Sequence, residues 1–139
     1  MLGPAWHTPM VDSDKVIAIA MGGIAGAFTR WAFVELIPST DLPWATLMVN
    51  TLGSLLLGYF VVRLARAPAP TTARIAGATT GFCGALTTFS GLTVAVAQQL
   101  RDGDSASGLM FLMLSLVAGL IAVSIGVVVA RQRPTGAQP

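Results

Sequence analysis

Residues Gly81–Leu92, GFCGALTTFSGL, decide the fold. They lie in the middle of a run from Ile75 to Leu100 that holds no charged residue and is flanked by Arg74 and Arg101. As one straight α-helix at ~1.5 Å per residue, this run is about 39 Å long, more than the roughly 30 Å of a hydrocarbon core. A helix built only to cross lipid has no use for three glycines, three hydroxyls and two aromatic rings at its centre. Gly81 and Gly84 remove side chains that stabilise helix, while Thr87, Thr88 and Ser90 can bond freed backbone groups. The stretch therefore predicts an unwound point at GFCGALTT inside the membrane. Non-helical backbone at that depth must be buried in protein or line a cavity, and the carbonyls it frees are natural cation ligands.

Composition supports a membrane setting: of 139 residues, 54% are hydrophobic and 10% charged, against roughly 25% charged in an ordinary soluble domain. Three further runs are long enough to cross lipid: residues 16–34, interrupted only by Arg30, residues 42–62 and residues 105–130. With 75–100 they make an all-α domain of four transmembrane helices over residues 1–139, the third helix broken, with polar tails at 1–15 and 131–139. The start, MLGPAWHTPMVDSDK, lacks the cationic head of a secretory signal, and His7 within it reads as solvated. The end, RQRPTGAQP, reads as a disordered cytoplasmic tail. A single cysteine, Cys83, excludes an internal disulfide and a cysteine-built metal site and reads as a small apolar filler. The few basic residues sit at span ends, where they bear on topology and not on nucleic acid. No nucleophile stands beside a base and no metal-ligand cluster is visible, so the chain does not read as an enzyme.

Small residues recur four apart at Gly22 and Gly26, Gly77 and Gly81, Ser115 and Gly119, and Ala122 and Gly126, a spacing that lets helix backbones approach closely in lipid. Asn50 falls near the bilayer midplane, and Thr46, Asn50 and Ser54 recur at intervals of four as one polar stripe. An amide without a partner in hydrocarbon costs several kcal/mol, so the stripe must face protein or water. The residues leave two readings open: interhelical hydrogen bonds that join the bundle, or a pathway whose NH2 and hydroxyl donors suit an anion. If Asn50 is only a pathway donor, Asn50→Ala leaves folding intact. Trp31, Trp44 and Tyr59 fall near span ends, as interface anchors do.

GGIAGAFTRW (Gly22–Trp31), TLMVNTLGSLLLG (Thr46–Gly58) and GFCGALTTFS (Gly81–Ser90) together resemble the three signature segments of the Fluc (CrcB-like) fluoride channels. The resemblance touches three of the four spans and implies a passive, fluoride-selective exporter of the cell inner (plasma) membrane, which lowers cytoplasmic fluoride. It implies an antiparallel dimer with two pores at its interface and a structural sodium ion held by backbone carbonyls of Gly84 and Thr87 from each subunit. It also implies an anion path along Asn50, Thr46, Ser54, Thr88, Phe89, Ser90 and Ser115, with a vestibule at Arg30 that concentrates anions. Family members present two ring edges from the third span. The first matches Phe89, but the second position here is Leu92, and a tyrosine frequent in the fourth span aligns with Phe111.

Two rival classes remain. A small drug/proton antiporter subunit needs a carboxylate well inside the first span, whereas Asp12, Asp14, Glu35, Asp41, Asp102 and Asp104 all lie at span ends or in loops. A non-conducting partner or scaffold subunit keeps the glycine packing but has no use for the polar stripe. Lys15, Arg63, Arg66, Arg74, Arg131 and Arg133 fall on one side of the membrane, against Arg101 and at most Arg30 on the other. A dual-topology homodimer needs a near-balanced count. The imbalance predicts a fixed orientation with both termini cytoplasmic and, the family's dimer being antiparallel, a heterodimer with an oppositely inserted paralogue.

Overall fold

The computed structural model describes residues 12–38, 42–67 and 71–132. His7, Asp41, Arg133 and the outer parts of both expected tails lie outside the described residues. Among the described residues all regular structure is helical. Helix α1 is Ser13–Leu36 and α2 is Trp44–Ala65. The third span is composite: α3 (Thr72–Ala76), a π-helical segment (Gly77–Cys83), α4 (Gly84–Leu86) and α5 (Phe89–Arg101). Helix α6, Ser105–Gln132, completes the bundle. All four spans are long and apolar enough to cross a membrane. Helix α1 begins inside the expected tail because the Asp12 carboxylate accepts the Lys15 amide at 3.3 Å and caps it.

The third span is broken, but not at its glycines. Gly84 is helical, at φ −64° and ψ −35°, whereas Thr87 (φ −80°, ψ 154°) and Thr88 (φ −146°, ψ 117°) are extended. The backbone thus unwinds at the C-terminal end of GFCGALTT. The glycines serve packing instead. A Cβ on Gly22 would collide with the Gly77 carbonyl and one on Gly26 with the Phe82 carbonyl, while one on Gly81 would lie 2.5 Å from the Ile19 carbonyl. Helix α1 therefore runs parallel to the first half of the third span at near backbone contact, the approach that small residues allow in lipid.

The same device joins α2 to α6, where a Cβ on Gly58 would strike the Val123 carbonyl and one on Gly126 the Leu55 carbonyl. The two zipped pairs are tied together by α5, which packs Leu92 and Ala95 against Phe111 of α6 in a buried cluster with Leu42, Leu47, Val96 and Leu112 around it. Cys83, 2% exposed, fills space in the interior. Ile17, Met21, Ile24 and Phe28 of α1 and Leu109, Leu116 and Leu120 of α6 are exposed, as lipid-facing or subunit-facing surface is.

Candidate ion pathway

Between the two zipped pairs runs a groove of about 440 Å³, walled by α2, the third span and α6. Its floor is the break, and the break is held chiefly by the side chain of Asn50. The Thr88 amide, which a continuous helix would direct at the Gly84 carbonyl, donates to Asn50 Oδ1 at 2.7 Å. Asn50 Nδ2 in turn donates to the Thr88 carbonyl at 3.0 Å. One carboxamide from α2 thus pairs with an extended residue of the third span as a neighbouring strand would. Each of these backbone groups, left bare, would cost about 1–3 kcal/mol. A Thr88 hydroxyl that accepts the Gly91 amide at 2.9 Å then restarts the helix as α5.

The expected site residues divide. Asn50, Ser54, Gly84, Thr87, Thr88, Phe89 and Ser115 all line the groove. Thr46 does not; it lines a separate cavity near the N-terminal end of α2. Ser90 meets the groove only through Thr88, its hydroxyl lying 3.1 Å from that of Thr88. Phe89 is 69% exposed at the rim of the groove, so it is no core aromatic. Leu92 is 3% and Phe111 1% exposed, packed against each other, so the two positions where ring edge and hydroxyl are missing form an apolar seal.

Proton direction sorts the hydroxyls. Ser115 Oγ donates to the Phe111 carbonyl at 2.8 Å, Thr87 Oγ1 to the Cys83 carbonyl at 3.0 Å and Thr79 Oγ1 to the Ile75 carbonyl at 2.7 Å. These three offer the groove lone pairs. Ser54 has no hydrogen-bond partner among the described residues, and its Oγ lies 3.4 Å from where a Cβ on Gly119 would be. With its proton and the second Nδ2 proton of Asn50, α2 supplies the donors that an anion could use without breaking a helix bond.

Arg30 points inward. Its Nη1 reaches the Thr87 carbonyl at 3.5 Å, half-buried, and no carboxylate among the described residues pairs with it. Arg30 thus brings a guanidinium beside the break, where it adds positive potential to the floor of the groove. Outside the spans, hydrogen bonds from the Ser107 side chain and amide hold the Asp104 carboxyl below its usual range, at the start of α6.

Sequence reasoning missed the Asn50–Thr88 pairing and the place of Thr79, Cys83 and Gly119 in the groove wall. The four-residue spacings of Thr79 to Cys83 and of Ser115 to Gly119 carry the signal, since each pair shares a helix face.

These features define a multi-pass helical membrane protein with a polar break at the centre of its third span. The chain matches the family model described as "CrcB-like protein, Camphor Resistance (CrcB)" over residues 17–127, and it belongs to that family. It is 37% identical over 130 residues to the fluoride-specific ion channel FluC of Chlorobium chlorochromatii, covering 88% of this chain and 97% of that protein. It is 34% identical over 126 residues to the fluoride-specific ion channel FluC 1 of Mycobacterium tuberculosis, with 89% and 96% covered. It is also 32% identical over 108 residues to the fluoride-specific ion channel FluC 2 of Listeria innocua, with 78% and 84% covered.

Proposed function

We propose that this chain is a subunit of a fluoride-selective channel in the cell membrane that lets fluoride leave the cytoplasm passively. The observation that carries the reading is the Asn50–Thr88 pairing, which holds a non-helical dipeptide beside a groove with anion donors at Asn50 and Ser54. The names of the relatives point the same way. Fluoride is small and tightly hydrated, so its path must replace water with donors at close range. Asn50, Ser54 and the Thr88–Ser90 hydroxyl pair supply them, and the ring edge of Phe89 adds a weak one. Arg30 raises the local anion concentration. The acidic residues described, Asp12, Asp14, Glu35, Asp102 and Asp104, are all exposed and none lines the groove, so a proton-exchanging carboxylate finds no support.

The groove is open on one side and Phe89 projects from its rim, which supports completion of the path by a second subunit, inserted antiparallel. A structural sodium ion fits the break in part. The Gly84 carbonyl loses its helical partner because the Thr88 amide turns to Asn50, and the Thr87 carbonyl belongs to an extended residue, engaged only by the long bond from Arg30. Two carbonyls are half of a four-oxygen set, so the ion would be held by Gly84 and Thr87 of both subunits and would tie the two breaks together. A heterodimer with an oppositely inserted paralogue draws support from the Leu92–Phe111 seal, which leaves this subunit without its second ring edge. Efflux from proteoliposomes that hold this chain, together with its partner subunit where one exists, tests the function: fluoride is released and chloride retained. Equal release of both would overturn it.

A further inference from the structure

Four helix ends meet on one side of the bundle: the N-termini of α1 and α3 and the C-termini of α2 and α6. The close helix approaches set the level of each cation there. A Cβ on Gly77 would lie 2.9 Å from the Ala18 carbonyl. Lys15 and Arg74, each three residues before that contact, therefore stand at one level on adjacent helices. In the other pair, a Cβ on Gly126 would lie 2.9 Å from the Tyr59 amide nitrogen. Arg63 follows Tyr59 by one turn and Arg131 falls in the last turn of α6, so these two also share a level, with Arg66 at the cap of α2 beside them.

Like charges held side by side repel unless a counter-charge lies between them. The chain supplies little. The carboxylates at this end are Asp12 and Asp14, against five described cations, and none of the five makes an ion pair among the described residues. Asp12 is already engaged with the Lys15 amide as the cap of α1. The helix ends add nothing either, because two N-termini and two C-termini, each worth about half a charge, cancel. A surplus of positive charge remains, and its side chains are exposed or half-buried.

The counter-charge must then come from outside, and the surface below the cations selects its chemistry. Val61, Val128 and Val129 are exposed beneath the three arginines, and Val16 and Ile17 beneath Lys15. Tyr59, one turn inside Arg63, is the kind of amphipathic ring that sits at headgroup level. Charge above and apolar surface below suit a ligand with an anionic head and a hydrocarbon tail. We infer that this end of the bundle binds anionic phospholipids, whose phosphates lie among Arg63, Arg66 and Arg131 and between Lys15 and Arg74 while their acyl chains follow the exposed valines. The lipid is the counter-ion that lets these cations stand close together. This goes beyond the fluoride reading and does not depend on it.

The test places the full chain, with its partner subunit where one exists, in nanodiscs that hold phosphatidylglycerol and phosphatidylcholine in about equal amounts. In this symmetric bilayer the direction of insertion plays no part. Native mass spectrometry after mild detergent extraction counts the lipids that stay bound. Phosphatidylglycerol should be enriched roughly tenfold over phosphatidylcholine, since each cation near the surface favours an anionic lipid about fivefold. Combined Arg63→Gln, Arg66→Gln and Arg131→Gln should lose most of the enrichment, whereas Arg101→Gln, at the opposite end, should keep it. On the unaltered protein, sodium chloride at about 0.5 M should reduce it by screening, and inorganic phosphate at matched ionic strength should do no more than chloride. Equal retention of the two lipids overturns the inference, as does a loss in Arg101→Gln as large as in the triple variant or an enrichment indifferent to salt. Displacement by inorganic phosphate beyond the effect of chloride would also overturn it, by making the ligand a soluble anion.

Discussion

At the scale of single residues, Asn50 and Phe89 separate folding from conduction. Asn50 holds both the amide and the carbonyl of Thr88, so Asn50→Ala strands two backbone groups and should cost about 2–6 kcal/mol. This reverses the expectation that the alanine variant folds intact. Thermal unfolding in detergent should show a markedly lowered midpoint; an unchanged midpoint would remove the bracing role. Phe89, exposed at the rim, contributes little to one subunit's core, so Phe89→Ile should change its stability by no more than about 0.5 kcal/mol. Fluoride efflux should nonetheless fall sharply, because an isoleucine has no positive ring edge. Wild-type efflux from a well-folded Phe89→Ile protein would exclude the ring from the path. The residue types at both positions were legible in the sequence, but their geometry was not. Nothing in a one-dimensional pattern says that an asparagine on one helix meets a threonine backbone on another.

Elements were legible to the extent that charge and length decide them. The charge-free runs placed all four spans, since a charge in hydrocarbon is costly wherever it falls. The position of the break was displaced because glycine has two effects that sequence alone does not separate: it weakens helix, and it lets helices touch. Here the second effect governs, and it depends on α1 lying alongside, at Gly22 and Gly26. The polar stripe divided for a geometric reason. Four residues advance a helix by about 400°, so a four-residue repeat drifts about 40° per step, and Thr46 ends on a different cavity from Ser54. Close approach has a direct test. Gly26→Ala places a methyl against the Phe82 carbonyl and should destabilise the subunit by about 1–3 kcal/mol, whereas Gly23→Ala, which meets nothing within 4 Å, should be neutral or slightly stabilising. Equal midpoints for the two variants would refute backbone-contact packing. The start of α6 has an acid dependence with a definite sign: Asp104 has its folded pKa lowered by Ser107, so its contribution is present above the unfolded pKa and is lost as pH falls through the folded value. Hydrogen exchange at the first turn of α6 should rise, relative to intrinsic rates, over that acid range in the wild type and not in Asp104→Ala.

At the scale of the whole molecule, the structure sharpens the charge count that bears on orientation. The N-terminus of α1, the C-terminus of α2, the start of the third span and the C-terminus of α6 share one end of the bundle, which therefore gathers Lys15, Arg63, Arg66, Arg74 and Arg131. The opposite end holds Arg101. Arg30, which the sequence left open for that end, is turned inward onto the Thr87 carbonyl and no longer belongs to a loop. Five described cations against one make insertion in both directions unfavourable, because Lys and Arg near span ends set topology. A single orientation, with both described termini on the cytoplasmic side, is the expected outcome. Reporters fused to the C-terminus should read cytoplasmic only, and equal signal from both sides would refute the bias. For the antiparallel pairing proposed above, a single orientation disfavours pairing between copies of this chain, so its fluoride efflux after separate purification should be weak and should rise on co-reconstitution with an oppositely inserted paralogue. Replacing Arg63, Arg66 and Arg74 by neutral residues relaxes the same constraint. That variant should insert both ways and gain fluoride efflux by itself, unless the Leu92–Phe111 seal blocks both pores of the homodimer. Leu92→Phe, which restores the missing ring, should then be required as well. Strong efflux from the unaltered chain alone would mean that the charge bias does not dictate a partner.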